Sequence, residues 1–545
     1  MKSKKVISLV LILLTAFASG CAGTKSDAGE NLKEIRFSLP ASPSTMDPQM
    51  VTDAYSAAAI DPYTAELYRY NSEGEIVPDL AESYEMSEDG LNWTFHLADG
   101  IKWSNGDPIT ADDFVFSMQR LADPETGSSA IYFISSYCKI KNVDDVYNGK
   151  THVNQLGVYA DDAKTLRFEL EEPCPYMLSL VTICPFSPCN REFFYSCGGH
   201  YCETDEYVLA SGAYKVDRYE PLADQIIYSR NTEYLYNDDV DIDRFSFFTI
   251  PNVQQAYMCF DIGQLDIASV GGELLDMIGQ DSRLCSVEAG IQYLKFNFRN
   301  DAVNNINIRS ALIRSIDRQA LADNVIRNGS TPMTRIVQEG FYSNETPEEY
   351  AEETKYFDGL CGYDTEEALN LWNKGLSELG VSSISLNLAY NSTQTSLVEV
   401  LQDQWQRTLP GLKITFTPMT TEQWLVALDG GDFDMIVCGW APDYTDPTAY
   451  LYTHETDIAA TSPLFSDPNY DGLLEQSRSP EAAGDTEARN KILHQAERYL
   501  AEQAAYIPLV FKGSSLMVDD NVLNFAVAPT GVTYVIQDMR LEETT

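Results

Sequence analysis

Basic residues are scarce in this chain of 545 residues: 37 lysines and arginines stand against 82 aspartates and glutamates, a formal net charge of −45. That scarcity excludes a general nucleic-acid binder, because a polyanion repels phosphate and no basic stripe compensates. It also disfavours electrostatic docking on anionic lipid. Histidine is scarcer still: the five (His96, His152, His200, His454 and His494) include none beside an obvious nucleophile. Past the first twenty residues no apolar run approaches membrane length, so the remainder is expected to lie outside the membrane. Internal repeats and low-complexity tracts are lacking too. What is present is globular in kind, 44% hydrophobic and 22% charged, with chain enough for two to four domains at ~150 residues each.

Enzyme signatures are also missing. His454-Glu455 opens like the HExxH of zinc proteases, but Ile458 occupies the second histidine position. No G-x-S-x-G elbow occurs. Gly149-Lys150-Thr151 matches the end of a P-loop, yet Asp144 replaces its first glycine. Asp467, Asn469, Asp471 and Gly472 follow the EF-hand pattern, but Arg478 puts a cation where the last ligand, a bidentate glutamate, belongs. No cofactor is expected. The wealth of carboxylates keeps one enzymatic alternative open, an exported hydrolase working with two of them.

The N-terminus reads as a targeting segment. Lys2, Lys4 and Lys5 precede an apolar stretch from Val6 to Leu14, broken only by Ser8, and then Ala16, Ala18, Ser19, Gly20 and Cys21. Residues 1–20 have the layout of a signal peptide. The small-small-Cys ending resembles a bacterial lipobox, in which Cys21 is lipidated and residues 21–33 form a small, polar tether. Ala18 stands where lipoboxes usually carry leucine. The alternative is an ordinary cleavage site at Ala16-Phe17-Ala18, which releases a soluble protein.

Ten further cysteines follow, five of them close together: Cys174, Cys184, Cys189, Cys197 and Cys202. Exported cysteines usually pair, but spacing cannot give the connectivity. A metal reading would join Cys197, His200 and Cys202, yet no C-x2-C pair nucleates it. Buried thiols or a local disulfide are the favoured readings, and no metal is assigned.

Mixed α and β patterns run through the chain. Glu34–Leu39 reads as a strand ended by Pro40, and Leu91–Leu97 alternates up to the turn at Asp99-Gly100. Thr110 with Asp113 predicts a capped helix carrying Phe114, Val115 and Met118. Asp364 with Glu367 predicts a second, with Leu369, Trp372, Leu376 and Leu379 as its apolar stripe. A strand at Ile384–Tyr390, a helix face of Val398, Leu401 and Trp405, and a strand at Ile414–Phe416 come next. A helix with Trp424, Leu425 and Leu428 then precedes a strand at Phe433–Val437. This βαβαβ rhythm predicts an open, partly parallel sheet with helices on its faces. Glu481–Ala504 is expected as one long helix and Ile507–Phe511 as a strand closing the chain.

Several segments, in order, resemble the extracellular solute-binding proteins of oligopeptide and dipeptide ABC importers, family 5. They are Ser44-Thr45-Met46-Asp47-Pro48, then Val77–Phe95 running into Gly100–Phe114, then Ser211-Gly212-Ala213-Tyr214. Arg230-Asn231 with Tyr234, Phe260–Ile267, Phe296-Asn297, Arg309–Leu312 and Ile316-Asp317-Arg318 follow. Asp432-Phe433-Asp434 and Gly439-Trp440-Ala441-Pro442-Asp443-Tyr444-Thr445-Asp446-Pro447 complete the series. Ala98 departs from the pattern, which usually has a basic residue there. Val437 stands where some oligopeptide binders carry a cation for the peptide C-terminus, so no fixed peptide length is implied.

The resemblance implies an α/β, periplasmic-binding-protein-like fold of two lobes with a hinge, in a three-domain variant. A discontinuous first domain would hold residues 34–68, 206–290 and 509–545, an inserted second domain 69–205, and a third 291–508. Ligand would bind between the first and third, with hinge residues near 290 and 508. The implied function is capture of peptides for a separate membrane permease, by a monomer held at the membrane through its N-terminal lipid, without nucleic acid or catalysis. Asp443 would receive the peptide α-ammonium, although an Asx-turn also explains an aspartate there. Trp440 and Tyr444 are candidate cleft walls, with Ala441 between them in the site, and Ser42 and Ser44 candidates from the opposite side. A peptide backbone paired with protein strands would leave sequence tolerance wide. Other solutes bound by such folds, namely dipeptides, oligosaccharides, nickel chelates or haem, are the alternatives.

Overall fold

A computed structural model describes residues 32–221, 224–428, 432–456, 465–530 and 533–542. The expected signal sequence and Cys21 lie outside the described residues.

The strand Glu34–Leu39 buries Ile35, Phe37 and Leu39 and runs parallel to Arg244–Thr249. Among the described residues it belongs to a sheet of eleven strands. From one edge the order is Leu412–Met419, Ile384–Asn391, Met435–Trp440, Leu284–Phe296, Tyr506–Val518, Ile267–Val270, Glu34–Leu39, Arg244–Thr249, Gln225–Arg230 and Tyr214–Arg218, with the short strand Thr331–Pro332 paired to Tyr506–Val518. The first three form the expected βαβαβ unit: Ile384–Asn391 is parallel to both neighbours, and the helices Thr395–Thr408 and Thr421–Leu428 make the crossovers.

Two strands of 13 residues, Leu284–Phe296 and Tyr506–Val518, form the middle of the sheet. At ~3.3 Å per residue each spans roughly 43 Å, enough to serve both halves of the molecule. Their ladder is interrupted. Leu284–Glu288 pairs with Gly513–Met517, whereas Ile291–Lys295 pairs with Tyr506–Phe511. Gly290 sits in the gap at φ +114°, and a Cβ there would collide with the Trp440 carbonyl oxygen, so only glycine fits.

A separate antiparallel sheet holds Ala81–Met86, Asn92–Leu97, Thr165–Glu169 and Val158–Asp162. The helix Ala111–Ala122 starts as predicted, with the Thr110 backbone N–H donating to the Asp113 carboxylate at 2.8 Å.

Some expected elements differ. The long C-terminal helix breaks at Gly484: Ser479 caps Pro480–Ala483, and Asp485 accepts from the Ala488 N–H to start Thr486–Glu502 afresh. The final strand extends to Val518. On the helix Thr365–Leu379 the buried side is Ala368, Trp372, Gly375 and Leu376, while Leu369 is exposed. Gly375 causes the rotation, because its bare backbone lets the helix Ile306–Arg314 press Ile308 against it. Leu425 is also exposed, whereas Trp424 and Leu428 pack inward.

The ten cysteines among the described residues are thiols, nine of them buried and Cys285 half-buried. His200 faces solvent and pairs with Glu203 at 2.7 Å, away from a shared centre with Cys197 and Cys202. The EF-hand look-alike is a helix start: Asp467 caps Pro468–Ser477, and Arg478 pairs with Glu455. Among the described residues no helix is long and apolar enough to cross a membrane, and no cluster of His, Cys, Asp and Glu could hold a metal ion.

Candidate functional site

The strand Met435–Trp440 is buried from Met435 to Cys438 and emerges at Gly439. Only Met435 and Ile436 pair with Ile384–Asn391, so from Cys438 onward that edge has no strand neighbour among the described residues. Beyond Trp440 the chain turns through exposed Ala441 and buried Pro442 to Asp443.

Two aspartates of this turn have opposite surroundings. Asp446 accepts from the Thr448 N–H at 3.0 Å and binds Arg489 through both oxygens, at 2.7 and 2.9 Å. It therefore takes the Asx-turn role, with an ion pair whose side chains are only 6% exposed. Asp443 makes no such bond. Its carboxylate accepts one hydrogen bond, from the Tyr137 hydroxyl at 2.7 Å, and no cation pairs with it among the described residues. Burial raises its pKa to about 6, against the opposing effect of the Tyr137 bond. A carboxylate held half-buried without a counter-charge is chemically able to accept an incoming cation.

Tyr137 is fixed by aromatic neighbours from both sides of the site. Tyr444 meets it edge-on at 5.0 Å and stacks on Tyr176 at 4.4 Å. The Tyr176 and Tyr452 hydroxyls are hydrogen-bonded at 2.6 Å. Tyr70 bridges Ser179 and Thr445, each at 2.8 Å. These contacts tie the turn after Trp440 to residues 70–179.

The remaining expected site residues are placed as follows. Tyr444 is 1% exposed and is a packing element behind Tyr137, not a cleft wall; its ring is consumed by the stack. Trp440 is half-buried and donates its indole N–H to the Ala449 carbonyl at 2.6 Å. Ala441 is exposed beside it. Ser42 and Ser44 are exposed but locally engaged: Ser42 with Thr249 at 3.2 Å, Ser44 with the Asp53 carboxylate at 2.6 Å. Neither hydrogen-bonds to the Trp440–Tyr444 segment. Tyr137 escaped sequence reasoning altogether. The only hint is compositional, since 32 tyrosines are many for a chain this size.

Comparison with known proteins agrees with this architecture. The dipeptide-binding protein of Lactococcus lactis subsp. cremoris is 27% identical over 98% of both chains. The oligopeptide-binding protein OppA of Bacillus subtilis is likewise 27% identical over 98% of each. The structure of Listeria monocytogenes OppA bound to peptide superposes with a TM-score of 0.75 at 26% identity, covering 94% of this chain and all of the other. The model of the bacterial extracellular solute-binding proteins, family 5, matches residues 75–460. With the family model spanning most of the chain and a periplasmic-binding-protein-like α/β fold, this protein belongs to the family 5 extracellular solute-binding proteins.

Proposed function

We propose that this protein captures peptides in the cleft beside Trp440–Asp443 and delivers them to the permease of an ABC importer. The observation that carries this reading is Asp443, a half-buried carboxylate whose only partner among the described residues is a neutral phenol. A peptide α-ammonium supplies the missing charge in a geometry that a buried carboxylate rewards. The free edge from Cys438 to Trp440 offers main-chain groups to an extended backbone, a recognition mode indifferent to side-chain identity. The dipeptide- and oligopeptide-binding relatives support the same ligand class. Binding without chemistry completes the role.

The division into residues 34–68, 206–290 and 509–545, residues 69–205, and residues 291–508 is part of the same reading. The gap between the two ladder segments of the long strands is its hinge. Cys21 carries the lipid anchor, and the protein works as a monomer.

The test uses the exported protein, stripped of ligand by unfolding and refolding, and a mixed peptide pool analysed by mass spectrometry. Intact peptides are retained. In calorimetry, Asp443→Asn weakens free-amine peptides by about tenfold to a hundredfold while leaving N-acetylated peptides unchanged. Equal loss for both classes removes Asp443 from the ammonium role, and shortened peptides in the free fraction would make the protein an enzyme.

A further inference from the structure

Lys512 falls in the interval where the two long strands lose their register. Phe511 pairs with Ile291 and Gly513 with Glu288, so Lys512 itself has no ladder partner. Residues two apart on a strand share a face, which places Lys512 with Val510. Val510 pairs with Gln292, and Gln292 pairs on its other side with Gly439. The ammonium follows this row across the sheet: Nζ lies 4.0 Å from where Gly439 would carry a Cβ. It thus stands over the bare, exposed backbone of Gly439, one residue before Trp440 and four before Asp443.

Several closely enclosed cations of this chain are matched with acids: Arg120 with Asp47, Arg335 with Glu497, Arg478 with Glu455 and Arg489 with Asp446. No carboxylate among the described residues pairs with Lys512, although acids outnumber bases twofold in this chain. Its side chain is open to solvent and yet crowded by protein, and the lost hydration lowers its pKa from the ordinary lysine value. Lys295 is similarly desolvated, but it belongs to the neighbouring strand Leu284–Phe296 and lies on the opposite face of the sheet, against Cys438 and His454.

We propose that Lys512 binds a ligand carboxylate, the C-terminal one of a short peptide whose α-ammonium rests on Asp443. The proposal builds on the peptide reading above. An acid and a base, each without a counter-charge among the described residues, flank the free strand edge, and a zwitterionic chain laid along that edge satisfies both. Gly439 contributes by adding no side chain between the ligand backbone and the ammonium.

Two random peptide libraries of about three to six residues test it, one with free C-terminal carboxylates and one amidated, each offered to stripped wild-type protein and to Lys512→Met. The wild type is expected to retain free acids over amides by about tenfold, some 1.4 kcal/mol. Lys512→Met retains both alike, and Lys512→Arg restores the preference. Far-UV circular dichroism and thermal melting establish that each variant is folded. Equal retention by the wild type overturns the proposal, as does a preference that survives in Lys512→Met. Enrichment of Asp and Glu within the amidated library, lost in Lys512→Met, would assign the lysine to a ligand side chain and overturn the C-terminal assignment. Retention of neither library by the wild type would instead defeat the peptide reading itself.

Discussion

The Tyr137 hydroxyl donates to the Asp443 carboxylate across 306 residues of sequence, at 2.7 Å, and is the only hydrogen-bond donor to that carboxylate among the described residues. Tyr137→Phe removes it while the ring keeps its contacts with Tyr444 and Tyr132. Peptide affinity at neutral pH should fall by about 1 kcal/mol, the ordinary worth of one hydrogen bond. The carboxylate, left without a donor, should also titrate at higher pH than in the wild type. Calorimetry between pH 5 and 8 reads both effects, and an unchanged pH profile would contradict the assignment.

The pH dependence of the wild type follows from the same carboxylate. Its folded pKa, about 6, lies above the ordinary 3.8, so the charged form burdens the ligand-free fold. That burden is complete above pH 6 and vanishes as pH falls towards 4, where both folded and unfolded states are protonated. Asp443→Asn should therefore stabilise the ligand-free protein by about 1–3 kcal/mol at pH 7.5 and by nothing at pH 4, as read by urea denaturation. Binding has the opposite sign: an ammonium needs the charged carboxylate, so wild-type affinity should hold above pH 6 and weaken below it.

Asp446, three residues further on, should behave as a structural group. Asp446→Asn leaves Arg489 buried without its counter-charge, and the loss of stability should reach about 3–5 kcal/mol. Denaturant titration measures it. A loss below about 1 kcal/mol would mean that solvent reaches Arg489 freely.

Gly290→Ala tests the break in the central ladder. A Cβ at φ +114° is strained by itself and would also strike the Trp440 carbonyl. We expect a loss of about 2–4 kcal/mol in thermal unfolding, together with weaker peptide binding, because the displaced carbonyl belongs to the strand edge that precedes Asp443.

The sequence by itself determined the local architecture. The Thr110–Asp113 capping box, the alternation of Glu34–Leu39 and the βαβαβ rhythm after Ile384 all formed where their patterns lie. Such signals couple residues within four positions of one another, and the burial of one apolar face suffices to select them. The Gly439–Pro447 segment, through its resemblance to family 5, also implies Asp443 as the ligand-binding carboxylate.

Tertiary structure decided the rest. It gave the Asx-turn to Asp446 and left Asp443 without a cation among the described residues, a choice made by Arg489, 43 residues from Asp446. It buried Tyr444 against Tyr176 and moved the aromatic role at the site to Tyr137. It rotated the Thr365–Leu379 helix because Gly375 lets Ile308 approach. It also carried Lys512 across the sheet to Gly439. A partner hundreds of residues away leaves no periodicity in the chain; only packing determines which charge finds a counter-charge and which is left without one.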